Sequence, residues 1–305
     1  MTANYSSQQT PVHRLRFGQA LRRRRRQIQA LAIMRKFVPL IVGLALTGIC
    51  IAKGFDPFHG DKPLAVLIQS DPWAMAIGSD TPRVAIYENG DVIFIKKIKG
   101  QAAYHKIILN KQELEAVRSR LQPIILLKDL KPSYSLRPNF TDQPTAKIYI
   151  RNGNREIAAS VYGMTCSRES LPADTKLSAG SPPTDLIKIH RWLCDLDYPR
   201  SHTWVPAYVE VMFWDYSYAP EASVQWPRNW PSLNSVRAIR HDDMYSLFLD
   251  GSLLPELRNF LSTRNTKGAV EISGRKMAAS YRFVFPSEPL WRQAFRTAAQ
   301  PKNAE

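Results

Sequence analysis

Residues 84–95 read VAIYENGDVIFI, two apolar runs, Val84–Tyr87 and Val92–Ile95, on either side of Glu88-Asn89-Gly90-Asp91. Asn-Gly between apolar runs is a strong signal for a β-hairpin, because both residues tolerate the positive φ that a tight reversal needs. The signal returns at Asn152-Gly153, between Lys147–Ile150 and Glu156–Tyr162. A short third strand follows the first hairpin, and then a helix. Asn110 can cap that helix with Glu113 reaching back as a capping box; Leu114, Val117 and Leu121 share a face, and Pro123 is expected to end it. After the second hairpin, Pro182 and Pro183 precede a helix expected at Asp185–Leu196, with Leu186, Ile189, Trp192 and Leu193 in one stripe.

The C-terminal part repeats this order. Tyr208–Trp214, Ala222–Trp226 and Met244–Leu249 read as strands, and Pro255-Glu256-Leu257 opens a helix with Phe260 and Leu261 inward. Ala269–Ile272 and Met277–Phe285 form a hairpin, and Pro286 leads into a last helix with Leu290, Trp291, Ala294 and Phe295. Glu113-Leu114 is echoed by Glu256-Leu257, and Ile157-Ala158-Ala159-Ser160 by Met277-Ala278-Ala279-Ser280, 120 residues later. The expectation is an α+β fold of antiparallel hairpins with interspersed helices, in two tandem hairpin-helix-hairpin-helix halves at 83–198 and 199–305. Chance similarity is the alternative to duplication. A doubly wound nucleotide fold does not fit this order.

Ahead of the first hairpin the chain changes character. Phe37–Ala52 (FVPLIVGLALTGICIA) is sixteen residues without a charge, flanked by Lys36 and Lys53. As a helix it covers about 24 Å, short of the roughly 30 Å hydrocarbon core, but the two lysines can snorkel to the interfaces. Residues 1–36 carry nine basic residues (Arg14, Arg16, Arg22–Arg26, Arg35, Lys36) and no acid; the first carboxylate is Asp56. The positive-inside rule then keeps residues 1–36 in the cytoplasm, makes 37–53 a transmembrane signal anchor, and exports the rest. A cleaved signal peptide is the rival reading, against which stand the 36 residues before the apolar run. Residues 54–82, with four prolines, read as an irregular stalk in which Leu64–Gln69 is the strand-like run.

Chemistry is less legible. No Gly-rich phosphate loop, Gly-x-Ser-x-Gly elbow or His-Glu-x-x-His helix is present, so no catalytic residue, metal site or cofactor is assigned. His190 and Cys194 would share a helix face, yet Asp195 would turn away, which makes a poor metal set. Cys166 and Cys194 are the two exported cysteines; they fit a disulfide around a loop of about 28 residues or two buried thiols, since spacing does not fix the Cα separation. Tyr198–Trp230 holds nine aromatics in 33 residues. Within it Trp214, Tyr216, Tyr218, Trp226 and Trp230 are the candidate binding residues, because Trp and Tyr offer large faces with polar tips to a sugar ring or a protein. The bland alternative is that these rings cement the halves together.

These observations lead to a single-pass envelope protein whose exported domain binds a protein partner or a cell-wall glycan. A hydrolase of envelope polymers, with residues assembled from loops, is the enzymatic alternative. The Arg22–Arg26 run also suits nucleic acid, as clustered guanidinium groups release counterions from phosphate. It has no interleaved aromatic for base stacking, and topology already accounts for it.

Overall fold

The computed structural model describes residues 54–73, 80–137, 139–166 and 180–299, which form two β-sheets and four α-helices within the unit Lys53–Glu305. The expected anchor, Phe37–Ala52, and the basic segment before it lie outside the described residues. No helix among those residues is long and apolar enough to cross a membrane.

The first sheet contains β1 (Pro63–Ser70), β2 (Pro82–Tyr87), β3 (Asp91–Ile98), β4 (Gln101–Ile108), β5 (Ser133–Ser135), β6 (Thr145–Asn152), β7 (Arg155–Tyr162) and β8 (His202–Thr203), in the order β5-β7-β6-β1-β2-β3-β4-β8. Both Asn-Gly reversals form. Gly90 takes φ +90°, and an added Cβ would stand 2.8 Å from the Leu109 carbonyl oxygen, so glycine is required there by conformation and by space. In the second hairpin Asn152 pairs with Arg155, which places Gly153 and Asn154 in the turn.

The stalk expected over 54–82 is corrected by β1, which pairs with β2 on one side and β6 on the other, at the middle of the sheet. Its PLAVLI run is buried on both faces, as an unalternating apolar strand requires. One face, with Leu64, Leu67, Ile86, Phe94 and Ile148, packs on α1 (Lys111–Leu126) and α2 (Thr184–Cys194). The capping box of α1 is present: the Glu113 N–H donates to Asn110 Oδ1 at 2.9 Å, and the Asn110 N–H to Glu113 Oε2 at 2.8 Å. Instead of ending at Pro123, α1 continues through it, because burying Ile124 and Ile125 in this core outweighs one missing hydrogen bond near the helix end.

The second sheet contains β9 (Tyr208–Asp215), β10 (Glu221–Gln225), β11 (Ala238–His241), β12 (Met244–Asp250), β13 (Gly268–Ile272) and β14 (Arg275–Phe283), in the order β10-β13-β14-β9-β12-β11. Val209, Val211 and Phe213 of β9 face a core shared with α3 (Leu254–Ser262). Phe55 and Phe58 pack on Phe248, whose strand neighbours Leu247 and Leu249 face that core, so these rings cover part of the sheet's other side.

Two further expectations need revision. Not every pair is antiparallel, since the edge pairs β5–β7 and β10–β13 are parallel. The sheets also differ in strand order: the strands before α1 and α3 are each next to an edge, but the hairpin partner of the first, β3, lies on its inner side, whereas that of the second, β11, is the edge strand. Nor does the boundary at 198/199 separate independent halves. The last helix, α4 (Glu288–Ala299), lies against β6 and β7 of the first sheet, with Trp291 and Phe285 buried among Val66, Ile68, Ala85, Tyr87, Ile93 and Tyr149. Helical periodicity sets a helix's apolar face but not the sheet it covers.

Candidate functional site

The aromatic stretch divides into packed and open members. Trp226 is 7% exposed, its ring lies 5.0–5.5 Å from those of Phe213, Trp230 and Phe260, and its Nε1–H donates to the Pro231 carbonyl at 2.9 Å. Trp226 and Trp230, two of the candidate binding residues, therefore close the core between α3 and the second sheet. Trp204 joins Tyr104, Phe283 and Phe285 between the two sheets, with its ring 4.9 Å from that of Phe285. For these rings, cementing the fold is the role the geometry supports.

Trp214, Tyr216 and Tyr218 differ. Along β9, Met212 and Trp214 alternate with the core residues Val211 and Phe213 and so project from the opposite face, where both are half-buried. Trp214 is opposite Ala278 of β14, and Met244 at the start of β12 is 47% exposed. Just past β9, Tyr216 and Tyr218 meet edge to face at 5.0 Å, with Tyr218 76% exposed. A half-covered Trp, a paired Tyr and an exposed Met thus lie at one end of the second sheet.

A second centre lies on the first sheet's helical side. Cys166, four residues past β7, is bonded to Cys194 at the end of α2, with a Cα–Cα separation of 5.4 Å. One helical turn back, His190 is buried and its Nε2 lies 3.5 Å from Cys194 Sγ. Gln69 at the end of β1 holds the other side: its Nε2–H donates to the Met164 carbonyl at 3.0 Å, and its Oε1 accepts from the Cys166 N–H at 3.3 Å. His190 and Cys194 were recognisable as partners on one helix face. Cys166 joins them through the fold, which spacing could not show.

Burial lowers the His190 pKa to about 4, with Arg83 and Arg191 adding to the effect, so the imidazole is neutral at pH 7. The unfolded chain would protonate His190 near 6.5 and the folded chain only near 4. Its contribution to stability is therefore complete above pH 6.5 and lost as pH falls through 4, by an amount on the order of 3 kcal/mol. We expect urea denaturation at pH 7 and pH 4 to show this loss, and His190→Gln to remove most of it. An unchanged pH profile in the variant would assign the loss to other groups.

Glu210 and Glu288, both buried, are each ion-paired to Arg282, and Glu288 also to Arg292. Their charges are compensated by fixed guanidinium groups, an arrangement suited to holding α4 in place. No family model matches the chain, and no curated protein or solved structure matches it at a significant level.

Proposed function

We propose that this is a single-pass envelope membrane protein whose exported domain binds a protein partner through the Trp214, Tyr216 and Tyr218 end of the second sheet. The nine basic residues before Phe37, with no acid among them, support an N-terminus in the cytoplasm. The observation that carries the binding reading is the exposed Tyr218, held edge to face on Tyr216 beside Trp214, when other rings of the same stretch are packed. Aromatic anchors of this kind dominate binding energy in protein interfaces. A cell-wall glycan is the competing ligand, but Met244, exposed at the start of β12 at this end of the sheet, and Met212, on the same face of β9 as Trp214, are apolar and better suited to a protein surface.

The test is a photo-crosslinking residue at position 218 of the full chain in intact cells, with isolated cell-wall glycan assayed in parallel. We expect a discrete protein adduct and no retention on glycan. Trp214→Ala should weaken association with the captured protein by at least about 10-fold, the effect of losing about 1.4 kcal/mol from a hot spot, with the unfolding midpoint preserved. Retention on glycan without an adduct would replace the protein reading. Labelling of Ser6→Cys by an impermeant thiol reagent on intact cells would overturn the orientation.

A further inference from the structure

We infer that Cys166, Cys194 and His190 form, once a dithiol reductant has opened the disulfide, a three-ligand site for a thiophilic divalent cation of the zinc type. The bridge and the metal are then alternative occupants of one centre. The ligand atoms of the three residues all lie within 4.8 Å of one another. Zinc bonds to sulfur at about 2.3 Å and to nitrogen at about 2.0–2.1 Å, so tetrahedral ligands stand about 3.5–3.8 Å apart. The 3.5 Å between His190 Nε2 and Cys194 Sγ already matches that spacing. The two sulfurs reach it by side-chain rotation once their bond is broken.

The backbones that carry the ligands are held by contacts other than the bridge. Leu186, Ile189 and Leu193 fix α2 in the core, and Gln69 clamps Met164 and Cys166 from β1. Two soft thiolates and a neutral imidazole suit zinc and exclude magnesium or calcium, which require oxygen ligands. Two thiolates also neutralise the charge of a divalent ion. Both cysteines are only half-buried, so a dithiol can reach them. Among the described residues the cluster offers these three ligands.

The chemistry balances. A dithiol attacks one sulfur of the bridge, forms a mixed disulfide and closes its own disulfide with its second thiol. Two electrons and two protons pass to Cys166 and Cys194. The divalent ion then displaces those two protons as it binds.

The full chain in detergent, reduced with a dithiol and freed of it without oxygen, is titrated with Co²⁺ and then Zn²⁺. We expect one equivalent of Co²⁺ to give tetrahedral visible bands and thiolate charge-transfer absorption, both abolished by Zn²⁺, and the oxidised chain to give neither. Cys166→Ser and His190→Gln should each weaken binding by more than the roughly 10–100-fold that loss of an outer-shell partner brings. Should His190→Gln fail to fold by circular dichroism, zinc-edge X-ray absorption of the reduced parent decides: two sulfur ligands and one nitrogen support the site, and sulfur ligands alone overturn it. Folded reduced protein without the cobalt spectrum, or a folded His190→Gln that binds as the parent does, also overturns it.

Discussion

Arg282→Met is expected to destabilise the folded unit by about 3–5 kcal/mol, the loss seen when one member of a buried ion pair is removed and its partner stays charged. Arg282 on β14 is directly opposite Glu210 on β9, and its Nη1 lies 2.6 Å from Glu288 Oε1 at the start of α4. Without Arg282, Glu288 keeps Arg292, but Glu210 is left buried with Ser246 as its hydrogen-bond donor, at 2.5 Å. A domain of this kind has about 5–15 kcal/mol in total, so the variant would sit near the limit of folding. Arg282→Met with Glu210→Leu should recover most of the loss, because no unpaired carboxylate then remains. Urea denaturation with the disulfide intact measures both. A loss below about 1 kcal/mol in the single variant would mean that water reaches Glu210 and that the network acts as a surface pair.

Trp291→Ala should have an effect of similar size for a different reason. The Trp291 side chain is fully buried where α4 meets the first sheet, and truncating such a residue removes both its transfer energy and its packing, at about 3–5 kcal/mol. Its indole Nε1–H has no hydrogen-bond partner, so Trp291→Phe forfeits less, under about 2 kcal/mol. Hydrogen exchange should locate the damage. In the alanine variant, amides of β6 and β7, against which α4 lies, should lose protection before those of β9 and β12. Uniform loss of protection across both sheets would show instead that they unfold as one unit.

Local chemistry made the hairpins, the α1 cap and the C-terminal strands legible from sequence, because each is set by neighbours within a few residues. What escaped was decided by distant contacts. Leu64–Gln69 was readable as strand-like, but the prolines and glycines around it hid its place at the centre of a sheet. Glu210, among Val209, Val211 and Phe213, has the pattern of a strand residue facing water. It is buried because Arg282 lies beside it and Glu288 of α4 meets the same guanidinium, both more than 70 residues away. For the candidate site, composition marked the aromatic stretch but could not separate Trp226, which packs, from Tyr218, which does not. Their surroundings depend on α3 and on which face of β9 each adjoining strand residue occupies.

The position of α4 also sets an order of events during synthesis. Val66, Tyr87 and Tyr149 belong to a face of the first sheet that Phe285 and Trp291 close, and Trp291 is made more than 200 residues after Val66. At about 5–20 residues per second the ribosome needs roughly 10–45 s to cover that distance. For the part of that interval after Tyr149 has been made, an apolar sheet face waits without its cover, open to chaperones or to a neighbouring nascent chain. The helix made last among the described ones is the latch, and the first sheet cannot reach its native state until it arrives.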